Sequence, residues 1–489
     1  MKLEKILENV PILARKNFSD IDIEQICYSS RQCAPNSLFV AIKGYRTDGH
    51  DYIDDAIARG ALAVVHSSDL DVYKEDIIYI QTPDSRKMLP VMGSNFYGHP
   101  SEYLTTFVAT GTNGKTTSCS IARHIFATFG KKTALSTGVG FFIGDETVHV
   151  DRTTPESLDL QQFLRQAVDI GSEYFFMEAS SHGIYLSRVA QTRFDCAAFS
   201  NLTHDHLDFH ETMENYYQVK KSLFLTDPPY TIINIDDPYG ERLAAELKER
   251  GKSKILTYSF HKDSDYVLGD FQQGGWKQSF NFRGPNIDTT FHLPMGGLYN
   301  AYNASAGIIY ALQKNIPLSV ITTAIETYTP AFGRMNRIHY NGYDILIDYA
   351  HTPDGLQKFL TGVKGNTKNR LISVFGCDGN RDVNKRPMMG RIAYDISDIA
   401  ILTHCHPRCE DNMDVLNQVR TGFPDEEHVH VFADRVDAVK FALSLAQPGD
   451  SVALAGLGHY RYVERNNQFL PYNDEDTVRA LLNLPKAES

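Results

Sequence analysis

Lys115 and Thr116 carry the most legible chemistry in the chain, because they close the loop Ala109-Thr-Gly-Thr-Asn-Gly-Lys-Thr-Thr117. A lysine so placed reaches the β- and γ-phosphates of a nucleotide, and the hydroxyl after it holds Mg2+. Gly111 and Gly114 let the backbone N–H groups turn toward phosphate oxygens, and a helix that starts there adds its positive end. The loop departs from the usual pattern at one place, where the first glycine is Ala109. The expected ligand is ATP, bound by Gly111, Thr112, Asn113, Gly114, Lys115, Thr116 and Thr117.

Four other clusters could do chemistry. In Phe175-Phe-Met-Glu-Ala-Ser-Ser-His182, Glu178 lies just past a strand end, as a Mg2+ ligand or as part of a capped turn. Asn201-Leu-Thr-His-Asp-His-Leu-Asp-Phe-His210 reads as a zinc site or, beside a nucleotide, as a hard-cation and water-orienting site; the helical H-x-x-x-H spacing of a zinc enzyme is absent. His404-Cys-His-Pro-Arg-Cys-Glu-Asp411 is a metal loop or a substrate-facing one. Arg381 and Arg386 form a basic pair on a glycine-bearing loop, fit for a carboxylate or phosphate or simply solvated.

The elements that must hold these residues follow from pattern. At 489 residues the chain exceeds one core, and three domains are expected: 1–102, 103–331 and 332–489. Ser37–Ile42 and Ala61–Val65 read as buried strands around a helix near Tyr52–Arg59. Thr105–Val108 is the strand that feeds the phosphate loop. Strands at Tyr174–Met177, Cys196–Ser200 and Thr231–Ile235 alternate with helical patterns at Leu158–Val168, Tyr216–Phe224 and Ala301–Leu312, which predicts a mostly parallel α/β sheet. Residues 270–293 alternate like antiparallel strands. After Pro330-Ala-Phe-Gly333 a Rossmann-like rhythm resumes at Asp344–Ile347, Arg370–Phe375, Ile399–Leu402, Val429–Phe432 and Ser451–Ala455. A net charge of −12 argues against nucleic-acid or anionic-membrane partners, but not against an anionic small substrate held locally. Seven scattered cysteines and no apolar leader or span predict reduced thiols and a cytoplasmic protein.

Together these segments resemble the Mur ligase family, the ATP-dependent ligases that build the peptide stem of bacterial peptidoglycan. Within it the likeness is closest to the MurE branch, which adds the third amino acid to UDP-MurNAc-dipeptide. It rests on Thr110–Thr117, Thr153-Thr-Pro155, Glu178–His182, Asn201–Asp208, Lys220 before Leu223-Phe224, Asn300-Ala-Tyr-Asn303, Gly333-Arg-Met335, Asp348–Asp354 and Lys385-Arg-Pro387. Ser29-Ser-Arg31, Leu38–Ala41 and Gly44 to His50 resemble the segments that hold the UDP-sugar, which separates the chain from folylpolyglutamate synthases.

The resemblance implies an α/β fold of three domains: an N-terminal UDP-binding domain, a central P-loop ATPase with a mostly parallel sheet, and a C-terminal Rossmann-like domain. It implies catalytic roles for Lys115, Lys220 and His206, and Mg2+ held by Thr116, Glu178, His206 and a carbamylated Lys220. Nucleotide contacts fall on Asn300, Asn303, Arg334 and Asp348, and dipeptide contacts on Ser30, Thr153, Thr154, Ser180 and Arg188. Arg381, Cys405, His406, Arg408, Gly456 and Tyr460 would receive the acceptor amino acid. The enzyme would work as a monomer on UDP-MurNAc-L-Ala-D-Glu and an amino acid, in cell-wall synthesis. The same core would serve a ligase with another carboxylate substrate, or a non-catalytic binding protein.

The chain departs from the family where the acceptor would sit. The family's Asp-Asn-Pro-Arg is Cys405-His-Pro-Arg408, its Gly-Lys-Gly-His-Glu is Gly456-Leu-Gly-His-Tyr460, and Leu186 replaces a glutamine. With the ammonium-binding glutamate replaced by Tyr460, lysine and ornithine are expected to be poor acceptors and meso-diaminopimelate no better than moderate. Neutral or acidic side chains are expected to do better.

Overall fold

A computed structural model describes residues 1–44, 47–144, 146–148, 150 and 152–486. Tyr45 and Arg46, within the Gly44–His50 segment, lie outside the described residues. The chain forms two compact units: Met1–Val108 with Lys131–Ala197, and Ala109–Gly130 with everything from Ala198 onward.

The first unit holds a five-stranded sheet in the order Ala14–Lys16, Ile78–Gln81, Ala61–His66, Ser37–Val40, Gln25–Cys27. All neighbours are parallel except the exposed edge strand Ala14–Lys16. Ser37–Val40 is buried throughout, as a parallel strand covered on both faces requires. Asp84 caps the helix Ser85–Phe96 by accepting from the Lys87 N–H. Leu89 and Met92 of that helix share one core with Leu38, Val65 and Leu158. The same unit holds Thr133–Thr137 parallel to Tyr174–Glu178, with Gly140–Ile143 and Glu146–Val148 added antiparallel.

In the second unit the phosphate loop opens onto the helix Lys115–Thr128, which packs against Leu298–Gln313. Gly307 makes that packing close, since a Cβ there would meet the Ala122 backbone at 3.0 Å. Tyr230–Asn234 and Lys254–Ser259 pair in parallel, and Tyr266–Gly274, Lys277–Gly284 and Ile287–Leu293 form the antiparallel ribbon that their alternation predicts. A six-stranded sheet follows in the order Asn336–Tyr340, Tyr343–Asp348, Ser451–Ala455, Leu371–Phe375, Ile399–Leu402, Val429–Val431, parallel but for the first strand. The loops leaving the carboxyl ends of its four inner strands carry Tyr349–His351, Gly456–Tyr460, Gly376–Arg381 and Thr403–Arg408. That rim is where open α/β sheets place ligands. A hairpin, Tyr462–Arg465 with Gln468–Pro471, follows it and was not anticipated from sequence.

Candidate active site

The phosphate loop takes its shape from its neighbours as much as from itself. Gly111 and Gly114 sit at φ +150° and +91°, and a Cβ on them would come within 1.9 Å of Ser200 Oγ and 2.1 Å of Asn303 Oδ1. Asn201 templates the turn: its carbonyl accepts the Thr112 N–H at 2.9 Å and its side-chain oxygen the Asn113 N–H at 3.0 Å. Ser200 and Asn201 both donate to the Asn113 carbonyl, at 2.6 and 3.1 Å. The Thr112 hydroxyl lies 3.2 Å from Tyr216 Oη and accepts the Thr203 N–H at 3.0 Å. Asn201 and Thr203 therefore act as loop supports.

Two ammonium groups converge on the loop. Lys115 Nζ donates to the carbonyls of Gly111 and Thr112 at 3.0 and 2.9 Å. Lys220 Nζ, buried on the helix Met213–Ser222, donates to the same Gly111 carbonyl at 2.8 Å and to Thr110 Oγ1 at 3.3 Å. Burial, then the charge of Lys115, pushes Lys220 well below the usual lysine range. Arg334 donates to Thr116 Oγ1 at 3.0 Å and stacks over Tyr349. Asn113 donates to Asp354 at 2.8 Å. Asn300 and Asn303 are buried in the helix facing Lys115–Thr128, joined at 3.2 Å. Asp348 ends its strand accepting the Met335 N–H at 2.8 Å, and burial pushes its carboxyl up to about 6.

The histidine-rich segment divides its work. His204 Nε2 lies 2.7 Å from Asp382, and His210 stacks on Tyr216. Burial and Lys220 push His210 down to about 4. Asp205 is buried among His206 at 3.2 Å, Lys385 at 3.6 Å and His351 at 4.0 Å. Burial alone would raise its carboxyl, but those neighbours hold it well below the usual range. Among the described residues no three His, Cys, Asp or Glu side chains gather as a metal-binding group.

In the first unit, Thr154 Oγ1 donates toward the Glu178 carbonyl and Ser180 Oγ, each at 3.1 Å, and Ser180 caps the short helix Ser181–Tyr185. Glu178 accepts the Gly138 N–H at 3.1 Å. Thr153 lies against Gly138, and Ser30 is buried on the turn Ser30–Gln32. Arg188 donates to the Thr154 carbonyl at 3.2 Å. Arg86, Arg152 and Arg188 surround the buried Glu156 carboxylate at 3.4–3.5 Å, three cations about one anion. The cluster carries more positive than negative charge, and sequence reading singled out only Arg188 of it.

The acceptor region differs most from expectation. Cys405 does not face the rim: it is buried with Leu457 and Val463, accepts a weak bond from Arg435 at 3.8 Å, and lies where a Cβ on Gly456 would reach 2.4 Å from its sulfur. Arg386 is no substrate ligand but is fully buried, bonded to Glu410 at 2.8 and 3.0 Å, to Gln418 at 2.6 Å and to the Asp378 carbonyl at 3.0 Å. Arg381 stays on the loop surface. Arg408 is held between two carboxylates, Asp378 at 3.2 Å and Glu464 at 3.4 Å. Burial works against the Asp378 charge, yet His406 and Arg408 hold the carboxyl down at about 2. Tyr460 packs edge-on against His406 at 4.7 Å and beside Tyr349 and Tyr462. Beneath both loops Arg435 binds the carbonyls of His404 and Ala455 at 3.1 and 3.0 Å and pairs with buried Asp474 at 2.8 Å. Asp378, Glu464 and Arg435 escaped the sequence reading because their partners are distant in the chain.

Three family models match successive stretches: Mur ligase family, catalytic domain, at residues 22–97; Mur ligase middle domain at 109–311; and Mur ligase, glutamate ligase domain, at 333–458. The UDP-N-acetylmuramoyl-L-alanyl-D-glutamate–2,6-diaminopimelate ligase of Clostridium tetani is 39% identical over 490 residues, covering 99% of each chain. The enzyme of the same name from Clostridium perfringens is 39% identical over 485 residues, again covering 99% of each. A solved structure of a ligase of that name is 29% identical with a TM-score of 0.69, covering 99% of each chain. Matched from end to end by such relatives, this chain belongs to the Mur ligase family and has its three-domain α/β architecture.

Proposed function

We propose that this chain joins an amino acid to the D-Glu carboxylate of UDP-MurNAc-L-Ala-D-Glu, converting ATP to ADP and phosphate, as a step of peptidoglycan synthesis. The observation that carries it is the convergence of Lys115 and Lys220 on the Gly111 carbonyl, within a chain matched along its whole length by ligases named for that substrate.

A carboxylate oxygen of the substrate attacks the γ-phosphorus, the bond to ADP breaks, and an acyl phosphate forms. The acceptor's neutral amine then attacks the acyl carbon, phosphate leaves with the C–O bond pair, and the new amide nitrogen gives up its proton. Two anions meet in the first step, so neutralising charge is its main requirement. Lys115 supplies it at the loop, and Arg334 orients the Thr116 hydroxyl. Asp348 accepts the ribose hydroxyls in this reading, and Asn300 and Asn303 wall the nucleotide. Arg188, Thr153, Thr154, Ser180 and Ser30 hold the UDP-dipeptide, with Arg86 and Arg152 adding positive charge.

In the second unit Thr116, His206 and a carbamylated Lys220 would hold Mg2+. The Thr116 hydroxyl and the carbamate oxygens suit a hard cation, and the buried Lys220 amine near the Lys115 charge suits conversion to an anion. When bound, the ion neutralises phosphate charge. The domain limits 1–102, 103–331 and 332–489 are kept as functional limits, for a cytoplasmic monomer. Among the described residues no helix is long and apolar enough to cross a membrane.

Release of ADP and phosphate should require UDP-MurNAc-L-Ala-D-Glu and an amino acid together. ATP turnover indifferent to the UDP-dipeptide would sink the reading.

A further inference from the structure

The tip of the ribbon between Tyr266–Gly274 and Lys277–Gly284 carries the chain's one tryptophan where the turn itself disfavours it. Gly274 pairs with Lys277, so Gly275 and Trp276 form a two-residue turn, at φ +60° and +65°. Asparagine and glycine suit such a turn, and a bulky side chain at positive φ is strained. The side chain, not the turn, accounts for a tryptophan there. Its indole is 8% exposed and donates from Nε1 to Asp344 Oδ2 at 2.9 Å, with the Arg337 guanidinium 5.7 Å from the ring. The Trp276 N–H donates to Asn366 Oδ1 at 3.3 Å. Asp344 lies at the start of the strand that ends in Asp348, and Asn366 follows the helix Pro353–Lys364. The tip is therefore seated on the C-terminal sheet and the helix beside it.

Gln273, three residues earlier, faces two ways. Its Oε1 accepts the Gly297 N–H at 2.8 Å, at the head of Leu298–Gln313, and its Nε2 donates to the Gly362 carbonyl of Pro353–Lys364 at 3.0 Å. Asn300 donates to the Gly296 carbonyl at 2.7 Å and accepts from Asn303, against which Gly114 packs. A short path thus runs from the C-terminal sheet through the ribbon tip to the phosphate loop. We infer that Gln273 and Trp276 are positioning residues, which pin the C-terminal sheet to the nucleotide helix so that the acceptor amine reaches the acyl phosphate before water does. The inference rests on the ligase reading above. With the pin loosened, a water oxygen attacks the acyl carbon, phosphate leaves with the C–O bond pair, and the carboxylate returns as protons are released. ATP is hydrolysed and no amide forms.

The test measures ADP released per amide formed, with ATP, UDP-MurNAc-L-Ala-D-Glu and the best acceptor of an amino-acid panel at saturation. W276N suits the turn but removes the indole. Q273E keeps an acceptor for Gly297 and sets a carboxylate against the Gly362 carbonyl. The wild-type ratio should be about one, and each variant should raise it at least about threefold while changing the Kd for ADP less than about twofold. A ratio that stays at about one in either variant overturns the inference, even where both products fall together, because that marks a role in stability alone. The wild type gives a reading free of variants, since Trp276 is its sole indole emitter. Iodide should quench that emission no more with ADP and the UDP-dipeptide bound than without them. Quenching that rises on binding would show the tip leaving its seat, and overturns the inference too. No ADP from the wild type with any acceptor would instead refute the ligase reading, while iodide still judges the pin.

Discussion

Lys115 and Lys220 share one acceptor, the Gly111 carbonyl, yet their settings give them different work. Lys115 stands at the head of a helix and donates to two loop carbonyls, so its charge serves the loop. Lys115→Ala should lower kcat by about 10²–10³-fold with little change in Tm. Near-wild-type turnover in a folded variant would contradict a phosphate role. Lys220 is 1% exposed and faces a second ammonium, so becoming an anion relieves it. Lys220→Ala should be almost inactive and recover with added short carboxylates, and mass measurement in bicarbonate should show the CO2 adduct. An unmodified, fully active enzyme rules the carbamate out. Asp348 offers a pH signature. With its carboxyl raised to about 6, it is ionised above that pH and protonated below it. Nucleotide affinity should weaken as pH falls through this value, because the charge-assisted bonds to ribose are lost. Asp348→Asn should remove that component; an unchanged profile in the variant speaks against the ribose role.

At the scale of elements, the acceptor loops hang from one buried pair. Arg435 joins the segment after Ile399–Leu402 to the end of Ser451–Ala455 and is neutralised by Asp474. Arg435→Met strands the Asp474 carboxylate, and the expected cost is about 3–5 kcal/mol, read as a lower denaturation midpoint. A shift under about 1 kcal/mol would mean the pair is dispensable. None of this is visible in the local sequence. The strands and helices were, because Tyr174–Glu178 or Leu298–Gln313 announce themselves by runs of apolar residues at the right period. The phosphate loop was legible for the same reason, its glycines and lysine being adjacent in sequence. Cys405 was misplaced because a loop residue gives no sign of which way it points; its packing with Leu457 and Val463 and the closeness of Gly456 show that it points inward. Asp378 was overlooked because Arg408 lies thirty residues away, and the sheet order alone brings their two loops together.

Across the molecule, the second unit carries the phosphate loop and the C-terminal sheet as one compact body. Arg334 on Thr116, Asp354 on Asn113, Asp382 on His204 and Lys385 beside Asp205 are among the polar ties between them. Nucleotide on the loop should therefore be felt in the C-terminal segment. Amides at 333–336, 352 and 354–356 should exchange hydrogen more slowly with ADP bound, together with those at 111–117. Protection confined to the loop would show that these ties transmit nothing. The glycine loop has a further consequence, for protein engineering. Its turn is moulded by Ser200, Asn201 and Asn303, which belong to other elements and fill the space a Cβ would take. The nine residues from Ala109 to Thr117 are thus not a portable cassette. Grafted after a strand in a foreign scaffold, they would keep the motif and lose the mould, and with it the preorganised cup of amides that distinguishes a nucleotide site from a flexible glycine turn.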